Sequence, residues 1–67
     1  MEGWQIVGIQ ELERVDESGR LRKFQRVTIL TREGWTLFHD FPAGPTTARD
    51  IEQYFDQKVS ELRQLMK

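Results

Sequence analysis

The sequence has no cysteine, and its only histidine is His39. Without thiols, neither a disulfide framework nor a thiolate metal site can hold a small fold together. Long hydrophobic runs are missing too. The longest, "IVGI" at residues 6–9, falls far short of the roughly 20 apolar residues of a membrane-spanning helix. "MEGWQ" at the start has neither the basic nor the apolar region of a secretory signal, so the expected location is cytoplasmic. Proline occurs only at positions 42 and 45, leaving everything upstream free to pair as strands.

What is present suits a soluble globular domain: 37% hydrophobic and 31% charged residues, enough apolar side chains for one core and too many for a disordered chain. A single domain, 1–67, is expected. A chain this short buries only about 60% of its unfolded surface, and with no cysteine the common remaining aid to stability is self-association.

The net charge of −1 hides a block pattern. Residues 1–19 carry Glu2, Glu11, Glu13, Asp16 and Glu17 against Arg14; residues 20–32 carry Arg20, Arg22, Lys23, Arg26 and Arg32 and no acid. Blocks of opposite sign cancel when they pair as neighbouring strands.

Turn chemistry divides the chain. "DESG" (16–19) and "TREG" (31–34) both close a polar stretch with glycine, the pattern of a type I turn followed by a left-handed residue in a three-residue hairpin loop. Asp16 then faces Arg20, and Thr31 faces Trp35. Counting outward pairs Val15 with Leu21, Glu13 with Lys23, Leu12 with Phe24, Ile9 with Val27, Val7 with Ile29 and Ile6 with Leu30. The second hairpin pairs Ile29 with Leu37, Val27 with His39, Arg26 with Asp40 and Gln25 with Phe41. Both turns put Val7, Ile9, Val27, Ile29, Trp35, Leu37 and Phe41 on one face, a set that a one-residue slip would scatter.

Pro42 and Pro45 end the sheet, and "TTARD" (46–50) predicts a helix start with Thr47 as N-cap and Asp50 as its capping-box partner. Ala48, Ile51, Phe55, Val59, Leu62 and Met66 then recur at spacings of three and four, one stripe of a helix facing the sheet. Arg63 and Lys67 fall where the helix dipole favours cations. The sequence thus predicts an α+β fold: a three-stranded antiparallel β-meander with one C-terminal α-helix packed on one face (β-β-β-α). Strands are expected at about 4–15, 21–31 and 35–41 and the helix at about 48–66, with the first hairpin projecting past the helix because strands rise faster per residue.

The same register turns Trp4, Ile6, Leu12, Phe24, Leu30 and Phe38 to the helix-free face, among Gln10, Arg14, Arg22, Arg26, Thr28, Thr36 and Asp40. A sheet face left to water is normally polar, and a contiguous apolar patch in a soluble domain marks an interface. The expected function is a small non-enzymatic binding or assembly module, with Ile6, Leu12, Phe24, Leu30 and Phe38 as partner-binding residues, acting as a homodimer or docking on another protein. The alternative is a nucleic-acid-binding domain in which Arg14, Arg22 and Arg26 neutralise phosphates and Phe24 and Phe38 stack bases. The β-β-β-α order resembles the arm-type DNA-binding domains of phage tyrosine recombinases, which read DNA with a three-stranded sheet. The resemblance is one of topology. No motif carries over residue by residue, and a net charge of −1 departs from their basic character.

Chemistry finds no foothold. His39 and Asp40 point to opposite faces and cannot form a dyad. Glu11 and Glu13 share a face, but Lys23 opposes Glu13 and no further oxygen ligands converge. Ser18 in a turn and Ser60 on the polar side of the helix have no base within reach. "AGPTT" (43–47) lacks the glycine–lysine core of a phosphate-binding loop. No catalytic residue, cofactor, metal or small-molecule substrate is expected.

Overall fold

Two glycine-closed turns set the sheet. In the computed structural model, which describes residues 3–66, β1 (Trp4–Val15), β2 (Leu21–Thr31) and β3 (Thr36–Pro42) form one antiparallel sheet in the order β1-β2-β3, followed by α1 (Ala48–Leu65). This is the β-β-β-α arrangement expected. Asp16 N–H donates to the Arg20 carbonyl and Thr31 N–H to the Trp35 carbonyl, each at 2.9 Å. Gly19 and Gly34 adopt φ of +83° and +88°, a region costly for any residue with a Cβ. The Asp16 carboxylate also accepts from the N–H groups of Ser18 (2.9 Å) and Arg20 (3.0 Å), which fixes the first turn from within.

From Gly8 to Val15 the β1–β2 register is the expected one, as is the β2–β3 register throughout. Before Gly8 it is not. Val7 is an extra residue, a β-bulge, so Ile6 pairs with Ile29, Gln5 with Leu30 and Trp4 with Thr31. A bulge inserts one residue into one strand and reverses the facing of everything beyond it. Trp4 and Ile6, expected on the helix-free face, are therefore turned to the helix side, and Val7 lies exposed at the bulge.

Trp4 is only 6% exposed. It joins Val27, Ile29, Phe41, Phe55 and Val59 in the core, with Leu37, Ile51 and Tyr54 packed around them. Its ring lies 5.6 Å from that of Phe55, and its indole N–H donates to the Asp56 carboxylate at 2.7 Å. Phe41, Tyr54 and Phe55 meet edge-to-face at 5.3–5.9 Å, favourable geometries for aromatic pairs.

The helix starts as expected. Thr47 accepts from Asp50 N–H through its hydroxyl, and Asp50 accepts from Thr47 N–H, a complete capping box. The core stripe is shorter than the sequence suggests: Phe55 and Val59 are buried, Ile51 and Leu62 half-buried, Ala48 and Met66 exposed. Arg63 bonds Glu33 and the Gly3 carbonyl. Lys67 lies outside the described residues.

Helix width explains one further departure. A helix about 10 Å across covers roughly two strands spaced about 4.8 Å apart. Val27 on β2 is 0% exposed, whereas Ile9, directly opposite it on β1, is 62% exposed. Ile9 thus sits on the expected face but outside the core. The 12 residues of β1 rise about 40 Å against about 27 Å for the 18 helical residues. The molecule measures 43 × 20 × 18 Å, its long dimension close to the length of β1, and residues 17–23 around the first turn are exposed. Among the described residues no helix is long and apolar enough to cross a membrane.

Candidate functional site

The helix-free face is built by alternate residues of three strands. Leu12 stands beside Phe24, Arg26 between Gln10 and Asp40, and Thr28 beside Phe38, with Leu30 next to Thr36. Of the five residues nominated for partner binding, Leu12, Phe24, Leu30 and Phe38 share this face; Ile6 does not, because of the bulge at Val7. Leu12, Phe24 and Leu30 are half-buried among their neighbours, while Phe38 on β3 is 61% exposed.

The charges on this face are internally paired. Arg26 donates to Asp40 through Nε (2.8 Å) and Nη2 (3.2 Å), a two-point contact with one carboxylate. Arg14, two strands away on β1, donates through Nη2 to the same carboxylate. To reach it, Arg14 lies over Phe24, its guanidinium carbon 5.5 Å from the ring centroid, and Arg26 lies over Phe38 at 5.0 Å. These are cation–π distances. The hydrogen bond from Arg26 is the main reason the Asp40 carboxyl is held below the usual carboxylate range, and it raises Arg26 in turn. Arg22 donates through Nε to Asp16 at 2.6 Å. The Ser18 hydroxyl, Arg22 and the Arg20 N–H together hold the Asp16 carboxyl far below its ordinary value.

Every arginine of the alternative nucleic-acid set, Arg14, Arg22 and Arg26, therefore already contacts a carboxylate. Two of the three share one acid. The carboxylates neutralise these guanidiniums, which weakens their pull on a phosphate, although Arg14 and Arg22 keep further N–H donors exposed.

Phe38 also stands at a border. Beyond it, around the free edge of β3, a shallow groove of about 260 Å3 runs between sheet and helix, lined by Leu37, Tyr54, Leu62 and Leu65 among others. Apolar surface thus continues from the sheet face onto the helix flank.

The residues weighed for chemistry are dispersed or occupied. His39 stacks on Tyr54 (4.1 Å) and meets Phe41 edge-on (4.7 Å) on the helix side, while Asp40 binds arginines on the other. Glu11 and Glu13 are exposed on β1 opposite Gln25 and Lys23. The amides of Thr47 and Asp50 are taken by the capping box. Among the described residues no group of three or more acidic or histidine side chains is placed to hold a metal ion.

Three features of this face escape a strand-by-strand reading: the loss of Ile6, the sharing of Asp40 by two arginines, and the groove beside Phe38. The first had a signal in Gly8, since glycine inside a strand often marks a bulge. The second is a diagonal contact, because Arg14 is opposite Arg22 in register and reaches Asp40 only across Phe24.

No family model matches this chain, no curated protein matches it, and no solved structure matches it.

Proposed function

We propose that the chain is a small, non-enzymatic binding and assembly module that works in the cytoplasm. Its helix-free sheet face buries Phe38 against protein, either a second copy or a docking partner. The observation that carries this reading is Phe38 itself: a large aromatic ring, 61% exposed, on an uncovered face whose charges are already paired. Aromatic side chains flanked by arginines are the usual anchors of protein interfaces, and paired, immobilised charges reduce the cost of ordering on binding. An isologous two-fold contact is the commonest pairing of small soluble proteins, and stacked sheets about 10 Å apart would place Leu12, Phe24, Leu30 and Phe38 at its centre.

Nucleic-acid binding is the less supported alternative, because its three arginines are committed to Asp16 and Asp40. The two readings separate in one experiment. Wild-type protein, Phe38→Glu and the double variant Arg22→Glu with Arg26→Glu are compared for self-association and for binding of duplex and single-stranded probes at low salt. The proposal expects Phe38→Glu to abolish association and no variant to alter a negligible probe signal. Salt-dependent probe binding lost on removing the arginines would overturn it.

A further inference from the structure

A second surface is independent of Phe38. β1 is an edge strand of 12 residues. Asp16 N–H donates to Arg20 across the first hairpin. In an antiparallel ladder such bonding alternates along the strand, so Gly8, Gln10, Leu12 and Arg14 turn their backbone groups towards β2. Ile9, Glu11, Glu13 and Val15 turn theirs outward, and no strand pairs with them among the described residues.

These outward residues carry their side chains on the helix side, since Ile9 is opposite the buried Val27. The helix leaves them open: all four are exposed. From Gly8 to Val15 the pairing is regular, and the bulge at Val7 bounds the segment at its other end. The free edge thus reads apolar, acidic, acidic, apolar at every second position. Lys23 lies opposite Glu13 on β2, and both side chains are exposed.

A second copy fits this edge poorly. The two-fold register that uses all four outward residues pairs Ile9 with the copy's Val15 and Glu11 with the copy's Glu13. Symmetry repeats that acid-on-acid contact, and like charges directly opposite one another are destabilising. Charges on an edge strand are a common guard against self-pairing. The same charges select a partner of opposite sign.

We infer that the β1 edge from Ile9 to Val15 is a strand-addition site for an extended basic segment of another protein. That segment carries Lys or Arg opposite Glu11 and Glu13 and apolar residues opposite Ile9 and Val15. Backbone hydrogen bonds to the four outward residues supply the affinity, and the alternating side chains supply the selection. In an antiparallel pair the incoming residues opposite these four project to the same side. Their apolar members cover Ile9 and Val15.

The test uses the full chain and a synthetic nonapeptide of sequence TVTKTKTVT with blocked ends. One analogue has both lysines replaced by glutamate. Another keeps the charge but is N-methylated at the two valines and two lysines, which would bond to β1. Amide hydrogen exchange and NMR shifts are followed residue by residue. Binding of the lysine peptide should slow exchange at Ile9, Glu11, Glu13 and Val15 by about tenfold or more at saturation, whereas the acidic and N-methylated analogues should not. Glu11→Lys with Glu13→Lys, both on exposed positions, should reverse the preference towards the acidic analogue, with unchanged circular dichroism confirming the fold. Phe38→Glu should leave peptide binding intact, which separates this site from the sheet face. Equal binding of the N-methylated analogue, protection elsewhere, or no binding of the lysine peptide at millimolar concentration would overturn the inference.

Discussion

Asp40 on the third strand holds Arg14 on the first, with the Phe24 ring of the second strand beneath the arginine. Because Arg26 donates two hydrogen bonds to the same carboxylate, one acid ties all three strands together on the helix-free face. Two cations that would otherwise repel each other and attract anions are held in place over aromatic rings.

Removing that acid should expose the cations. Asp40→Asn leaves Arg14 and Arg26 without a charged partner on this face, so affinity for duplex DNA should rise from a negligible level. The logarithmic salt slope should steepen by up to about two, one for each arginine freed to meet a phosphate. Fluorescence anisotropy at several salt concentrations measures both. An unchanged profile would mean that Asp40 does not restrain these arginines in solution.

Stability should fall in acid through the same kind of contact. Glu33 is lowered to about 2, chiefly by its hydrogen bond from Arg63, and Asp16, Asp40 and Asp50 are also lowered. A carboxyl more acidic folded than unfolded stabilises the fold when ionised. Its contribution is complete above the unfolded-state value of about 4 and is lost as pH falls through the folded value. Melting temperature should therefore decline from about pH 5 downward, and Glu33→Gln should lower the neutral-pH plateau while shallowing the decline. A flat profile across this range would contradict the pairing.

Core substitutions report the bulge register directly. Phe55 is 1% exposed and touches Trp4, Phe41 and Tyr54. Phe55→Ala and Trp4→Ala should each cost about 3–5 kcal/mol, a large share of the total stability, about 5 kcal/mol, of so small a domain. Ile9→Ala, at an exposed position, should cost about 0.5 kcal/mol or less. Urea denaturation gives all three. A small loss at Trp4 would remove the bulge, and a loss at Ile9 as large as that at Phe55 would place Ile9 in the core.

Most of the fold was legible because it is written in local chemistry. The turn glycines at 19 and 34 set both hairpins, and Thr47 with Asp50 marked the helix start. Register then followed by counting, but only as far as Gly8, where the bulge at Val7 reverses the facing of Ile6 and Trp4. Counting assumes one residue opposite one residue, and a bulge violates that assumption. The core was overdrawn at Ile9 for another reason: alternation shows which face a residue is on, not how far a single helix extends over it. The pairing of Arg14 with Asp40 follows from side-chain reach along a diagonal, which register alone does not encode.

The proposed function requires that Phe38 be buried in a protein contact. Sedimentation equilibrium of wild-type protein and Phe38→Glu, from low to high micromolar concentration, tests it most directly. For a self-associating face, the wild-type mass should rise from the monomer value of 8.0 kDa towards twice that, and its melting temperature should rise with concentration. Phe38→Glu should stay monomeric with the helix-side core intact. A wild-type protein that is strictly monomeric across the whole range would contradict self-association through this face.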